Sequence, residues 1–209
     1  HRRTNYARTK RTSLIVDPAD GKIPSLTPAA QAARKAASRA SGAGAKVSDQ
    51  ARRVSFGVDP DEEALMARTG GFDNPEDRRN DRCMGIGMAA TGSVMRLTQS
   101  PESVMLYYEY AIGGGAYRTI HLDGRAHPAP PIRQKYGDSV GRWDGDTLIV
   151  DTTNFSRETN YQGTGENLHL IERFRRVGDD LILYQVTVDD PQTFTRTWTQ
   201  EVPLTILPN

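Results

Sequence analysis

A single cysteine, Cys83, is all the thiol chemistry this chain of 209 residues has, so no internal disulfide staples it and packing must hold it together. Aromatic residues supply only 7% and all apolar residues 36%, low for a wholly compact chain, so part of the sequence is not core. A run of about 18 uninterrupted apolar residues is absent, which excludes a membrane-crossing helix. The chain as given also opens without the apolar middle of a secretion signal, and reads as soluble or peripheral. Its length suits one ordinary domain with appendages, or two small ones.

Net charge is nearly absent at +1, but this hides two opposed halves. Residues 1–58 hold 12 Lys or Arg against 3 acids, and residues 59–209 hold 15 against 23. A basic arm on an acidic body suits self-association, anionic lipid head groups or an acidic protein partner, all through the same Coulomb attraction. Nucleic acid is not expected, because the body has no zinc knuckle, helix-turn-helix or RNA-binding signature.

The arm opens with Arg2, Arg3, Arg8, Lys10 and Arg11 before its first acid, Asp17, and Pro18, Pro24 and Pro28 keep it extended. Leu14, Ile15 and Val16 are its only apolar anchor, as a short strand or as a plug for an apolar groove. Thr27-Pro28 then starts a helix, since Thr caps free N–H groups and Pro needs no donor in the first turn. Its apolar face is alanine alone, which buries little area, so the helix is expected to be exposed or to meet another chain. Asp59-Pro60 and Asn74-Pro75 start two further short helices. Domain boundaries are expected at 1–58 for arm and helix, 59–92 for short helices and loop, and 93–209 for a β domain.

From Ser93 the apolar period becomes two. Strands are predicted at 93–99, 104–112, 117–122, 147–155, 168–177, 181–189 and 194–204. Asp144-Gly145 and Gly178-Asp179-Asp180 sit where hairpins turn. The fold class is therefore mainly β: an antiparallel meander closed into a barrel or strongly curled, so that its edges do not stay open.

Chemistry is sparse. Glu172 falls on the apolar face of Leu168, Leu170 and Phe174, and Arg196 falls between Phe194 and Trp198. They read as a structural ion pair, or alternatively as an internal group that orients a polar ligand. His1, His121, His127 and His169 show no metal-ligand spacing, so no metal and no cofactor is expected. His121 with Asp123 or Glu109 could form an acid–base pair, against the simpler reading of a strand-end histidine. His127 lies in a proline-rich crossing, HPAPPIRQKYGD. Tyr107 points outward beside the Gly113-Gly114-Gly115 tip, as interface aromatics do, while Tyr108 points inward. No complete catalytic set emerges.

The strings RTSLIVDPADGKIPSLTP, PEDRRNDRC, IHLDGRAH, IRQKYGDSVGRWDGDTLIVDTTNF, ENLHLIERF and VTVDDPQTFTRTWTQEVPL, which span nearly the whole chain, resemble successive blocks of a large family of exported bacterial β-rich proteins. The resemblance implies a periplasmic or extracellular location and carries no reaction with it. Members continue past the block matching EVPLTILPN into a segment with another cysteine, which implies a partner for Cys83 in a longer chain. This sequence departs from the family in YYEYAIGGGAYRTIHLDGR, where a His-containing strand is usual.

The combined expectation is a non-catalytic, membrane-extrinsic accessory subunit. It would brace a larger respiratory, photosynthetic or envelope complex, and contact protein subunits or anionic lipid through Arg2, Arg3, Arg8, Lys10, Arg11, Leu14, Ile15 and Tyr107. The alternative is a barrel that binds a small molecule, or acts on one, with Glu172, Arg196, His121, Tyr108 and Asp151.

Overall fold

Apolar side chains recur at every second position through most of residues 103–205, and each such run is a strand with one buried face. The structure, a computed structural model, describes residues 13–40, 94–109, 115–157, 161 and 163–206, and all structural statements concern these. Nine strands make one sheet: β1 (Ile15–Asp17), β2 (Val94–Gln99), β3 (Ser103–Glu109), β4 (Gly115–His121), β5 (Asp138–Asp144), β6 (Thr147–Thr153), β7 (His169–Gly178), β8 (Leu181–Asp189) and β9 (Trp198–Thr205). Their lateral order is β1-β9-β8-β7-β6-β5-β4-β3-β2. The chain divides into two compact units, His1–Thr27 with Gly87–Asn209, and Pro28–Ile86. The second contributes one described helix, α1 (Pro28–Ala40), whose described side chains are exposed apart from a half-buried Ala30. The basic residues 2–11, the expected helices after Asp59 and Asn74, and Cys83 lie outside the described residues.

The mainly β expectation holds, with two corrections. The sheet does not close into a barrel: β1 and β2 remain its two edges. Nor is it wholly antiparallel, because β4 and β5 pair in parallel through Ile120↔Ser139 and His121↔Val140. A parallel pair needs a crossover of a dozen or more residues, and the proline-rich segment 122–137 supplies it. The strand that follows it, β5, is one the periodicity missed. In β5 the buried inward positions are Ser139 and Gly141, too small to read as core, while Trp143 on the same face is half-exposed at the strand's end. Gly141 is required there, since a Cβ would lie 2.6 Å from Cγ2 of Ile120.

The inner face carries Val104, Leu106, Ile120, Leu148, Val150, Leu170, Phe174, Tyr184, Val186, Val188, Trp198 and Val202, all buried in one cluster. β4 and β7 are three strand spacings apart, about 14 Å, and the long Arg118 side chain reaches across the inner face over β5 and β6 to bond Glu172 of β7 at 2.6 Å. Trp198 stacks on Tyr161 with ring centroids 6.3 Å apart and meets Phe194 edge-on at 5.6 Å.

The apolar triplet of the arm is used within the chain itself. Ile15 pairs with Gln200 across β1 and β9, Glu201 N donates to Leu14 O at 2.8 Å, and Leu14, Ile15 and Leu26 pack against the core. Leu14 and Ile15, expected to meet a partner, are thus occupied in their own sheet. Because the N–H of Glu201 points toward β1, that of residue 203 would point the same way. Residue 203 is Pro203, which lacks that N–H. It fits inside β9 because the missing donor faces the sheet's edge and not β8.

Candidate functional site: a histidine and carboxylate row on the outer sheet face

Two polar constellations stand out, one on each face of the sheet. On the inner face Glu172, 1% exposed, accepts both Arg118 Nη1 (2.6 Å) and Nη2 (2.7 Å), and also Tyr184 Oη (2.8 Å) and Thr152 Oγ1 (3.4 Å). Arg118 Nη1 further reaches Thr152 Oγ1 at 3.2 Å and Ser139 Oγ at 3.4 Å. Burial disfavours the guanidinium charge most strongly, but Glu172, Tyr108 and Tyr184 together outweigh it and hold the Arg118 pKa above its usual value. Burial and the Glu172 charge push the Tyr184 phenol well up; burial raises Tyr108 as well, partly opposed by Arg118. This is a bidentate, fully partnered carboxylate, the arrangement a buried charge needs.

The sequence placed Glu172 inward correctly but paired it with the wrong arginine. Arg196 is exposed and donates to Asp17 at 2.9 Å instead, because residues 191–197 form the connection before β9 and not part of that strand. Of the five residues assigned to an internal ligand, Glu172 and Tyr108 meet around Arg118 on the inner face. Asp151 lies on the opposite face, Arg196 outside the sheet, and His121 is half-buried at the end of β4. They do not converge.

The outer face carries the second constellation, at the end of the sheet where β6 and β8 finish and β5 and β7 begin. Alternation sends Asp138, Asp151, His169 and Asp189 outward. The ladders pair Asp138 with Thr153, Val140 with Asp151, Asp151 with Ile171, and His169 with Asp189. Asp138, Asp151 and His169 therefore step diagonally across three strands, within side-chain reach of one another. Into this row the crossing after β4 inserts His127. Its Nδ1 lies 2.7 Å from Asp138 Oδ2 and its Nε2 lies 3.2 Å from Asp151 Oδ1. His169 Nε2 lies 3.1 Å from the same Asp151 Oδ1, and Arg125 Nη2 donates to Asp138 Oδ1. The result is a chain Arg125–Asp138–His127–Asp151–His169.

Asn154 holds the rest of the crossing in place. It takes φ 57°, and its amide nitrogen faces the carbonyls of Ile132 (2.9 Å), Pro128 (3.0 Å) and Ala129 (3.2 Å). Asn is one of the few non-glycine residues that tolerate this backbone region. Gly137, at φ 69°, closes the segment where a Cβ would lie 2.7 Å from Thr153 O.

The hydrogen bond from His169 lowers the Asp151 pKa, and the same bond raises that of His169, with Asp189 adding to the rise. The raised histidine contributes stability that is full below 6.5, its ordinary value, and is lost as pH rises through its shifted value. The lowered carboxylate contributes stability present above 3.8 and lost as pH falls through its shifted value. The pair is therefore most stabilising between about pH 4 and about pH 6.5. Both groups are more than one-third exposed, so solvent screening keeps the effect below about 1 kcal/mol. Urea unfolding of wild type and His169→Gln is expected to show a gap at about pH 5.5 that narrows by about pH 8.5; a gap that widens with pH would contradict this assignment.

Sequence reasoning passed over this row. Each member sits in a different string (His127 in IHLDGRAH, Asp138 in KYGDSV, Asp151 in LIVDTTNF, His169 in ENLHLIERF), and only the ladder registers bring them together. The available signal was alternation, which sets Asp151 and His169 on the face opposite Val150 and Leu170. Among the described residues, no group of three His, Cys, Asp or Glu is arranged to hold a metal ion, and no helix is long and apolar enough to cross a membrane. Tyr107 is exposed as expected, directly across from a still more exposed Tyr117 and next to Met105's exposed strand position. No family model, curated protein or solved structure matches the chain.

Proposed function

We propose that the chain is a non-catalytic, membrane-extrinsic accessory subunit that braces a larger protein assembly on the periplasmic side. The observation that supports this reading is the mutual pairing of the two buried charges on the inner face. Glu172 takes both terminal nitrogens of Arg118, with Thr152 and Tyr184 completing the carboxylate's shell, so the two buried charges neutralise each other, although the buried Arg118 Nε has no hydrogen-bond partner among the described residues. The outer face, in contrast, keeps Met105, Tyr107 and Tyr117 exposed together across β3 and β4, the residue types that anchor protein interfaces. With Leu14 and Ile15 engaged in the sheet, the contact set narrows to these side chains and the basic residues Arg2, Arg3, Arg8, Lys10 and Arg11.

Size-exclusion of gently solubilised native membranes tests this. At low salt the chain is expected to travel with a large assembly and to be released by salt, because screening weakens the basic arm. The Tyr107→Ala, Tyr117→Ala double variant is expected to lower retention about tenfold, the equivalent of losing a modest hot spot. A monomer that runs free at low salt ends the proposal.

A further inference from the structure

His127 is the one side chain through which the 122–127 segment reaches both β5 and β6 among the described hydrogen bonds. Both of its ring nitrogens face carboxylate oxygens. A neutral imidazole has one N–H and one lone pair, so only the doubly protonated ring donates to Asp138 and Asp151 at once. When one proton leaves, a lone pair must face a carboxylate, and one contact has to break.

Exposure decides which. Each carboxylate keeps another donor, Arg125 on Asp138 and His169 on Asp151, but Asp138 is 2% exposed whereas Asp151 is 48% exposed. Taking a donor from the buried carboxylate costs more than taking it from the solvated one. We infer that His127 is a proton-controlled clasp: charged, it ties the crossing to β5 and β6 together, and neutral, it keeps Asp138 and releases Asp151.

The groups facing the clasp are of both signs. Asp138 from β5, Asp151 from β6 and Asp189 from β8 are acids; His169 from β7 and Arg125 from the crossing are bases. Asp123 accepts from the backbone N–H of Arg125, and His121 at the end of β4 is held through its backbone in the β3–β4 and β4–β5 ladders. With both imidazoles charged the row's three acids meet three bases; with both neutral, two acids lose their balance and the outer face turns anionic at this end. His169 also holds the shared Asp151 oxygen, at 3.1 Å against 3.2 Å for His127, so that oxygen keeps a donor when His127 departs. The far half of the crossing stays fixed by Asn154, so the movement is confined to residues 122–127.

Nitrogen NMR of the imidazoles and backbone amide exchange test the clasp in the whole chain between about pH 5.5 and about pH 8, the span in which imidazoles titrate. On raising the pH, the His127 Nε2–H signal is expected to vanish while Nδ1–H persists. Protection of amides 125–127, corrected for intrinsic exchange, is expected to fall about tenfold, the equilibrium equivalent of one charge-assisted hydrogen bond. His127→Gln, which donates without titrating, should show no such change, and Asp151→Asn should shrink it to about twofold or less. Loss of Nδ1–H first, an undiminished change in either variant, or a parallel fall in protection at 149–152 of β6 would each overturn the inference. The imidazole readout needs no variant, so it stands even if one fails to fold.

Discussion

Arg118→Met is expected to lower the unfolding free energy by about 3–5 kcal/mol, because it strands a buried carboxylate without its counter-charge. Glu172→Leu leaves the converse problem, a guanidinium buried at 3% exposure. The double variant Arg118→Met, Glu172→Leu is expected to recover most of the loss, since two apolar side chains of similar bulk replace two mutually dependent charges. Recovery stays incomplete: the Tyr184 hydroxyl and Thr152 lose the acceptor they share, at about 1–3 kcal/mol for a buried group left unpaired. Urea unfolding of the four proteins measures the coupling directly. Additive losses in the double variant would mean that the two residues act separately, against the geometry described.

Deleting residues 1–26 is expected to cost about 3 kcal/mol, as three partly buried apolar side chains, Leu14, Ile15 and Leu26, leave the core with the β1 ladder. The sheet should still fold, with a lower urea midpoint, because β2–β9 retain every other ladder. Charge reversal at Arg2, Arg3, Arg8, Lys10 and Arg11 should leave the midpoint unchanged. That contrast separates a lost contact with a partner from a weakened body, which simple truncation would confuse. An unchanged midpoint after truncation would mean that β1 adds nothing to the fold.

Much of the sheet was legible from its period of two. Thr147–Thr153 and Leu181–Asp189 lie within or on the predicted bounds. Gly145 takes φ 59° as the first of two loop residues in the expected hairpin, a conformation in which glycine carries no side-chain penalty. Alternation also placed Glu172 inward and Tyr107 outward. What it could not supply was lateral order. Arg118 and Glu172 are three strands apart in the sheet and 54 residues apart in sequence, so their meeting depends on the order and register of four strands, which no local pattern records. β5 escaped because close packing against Ile120 demands glycine at 141, and glycine reads as a break. The outer row needed both the β5–β6 and β6–β7 registers. The first is set by a tight turn, but the second follows the longer connection 154–168, whose sequence does not name a turn type that would fix the register.

Pro203 bears on how the molecule behaves in a crowd of its own copies. An unpaired strand margin with a full set of donors and acceptors is a template on which identical chains can stack into fibrils. Here β1 covers the first part of that margin and the proline ring removes a donor from the part beyond it, so the β9 side offers a broken template and resists that fate.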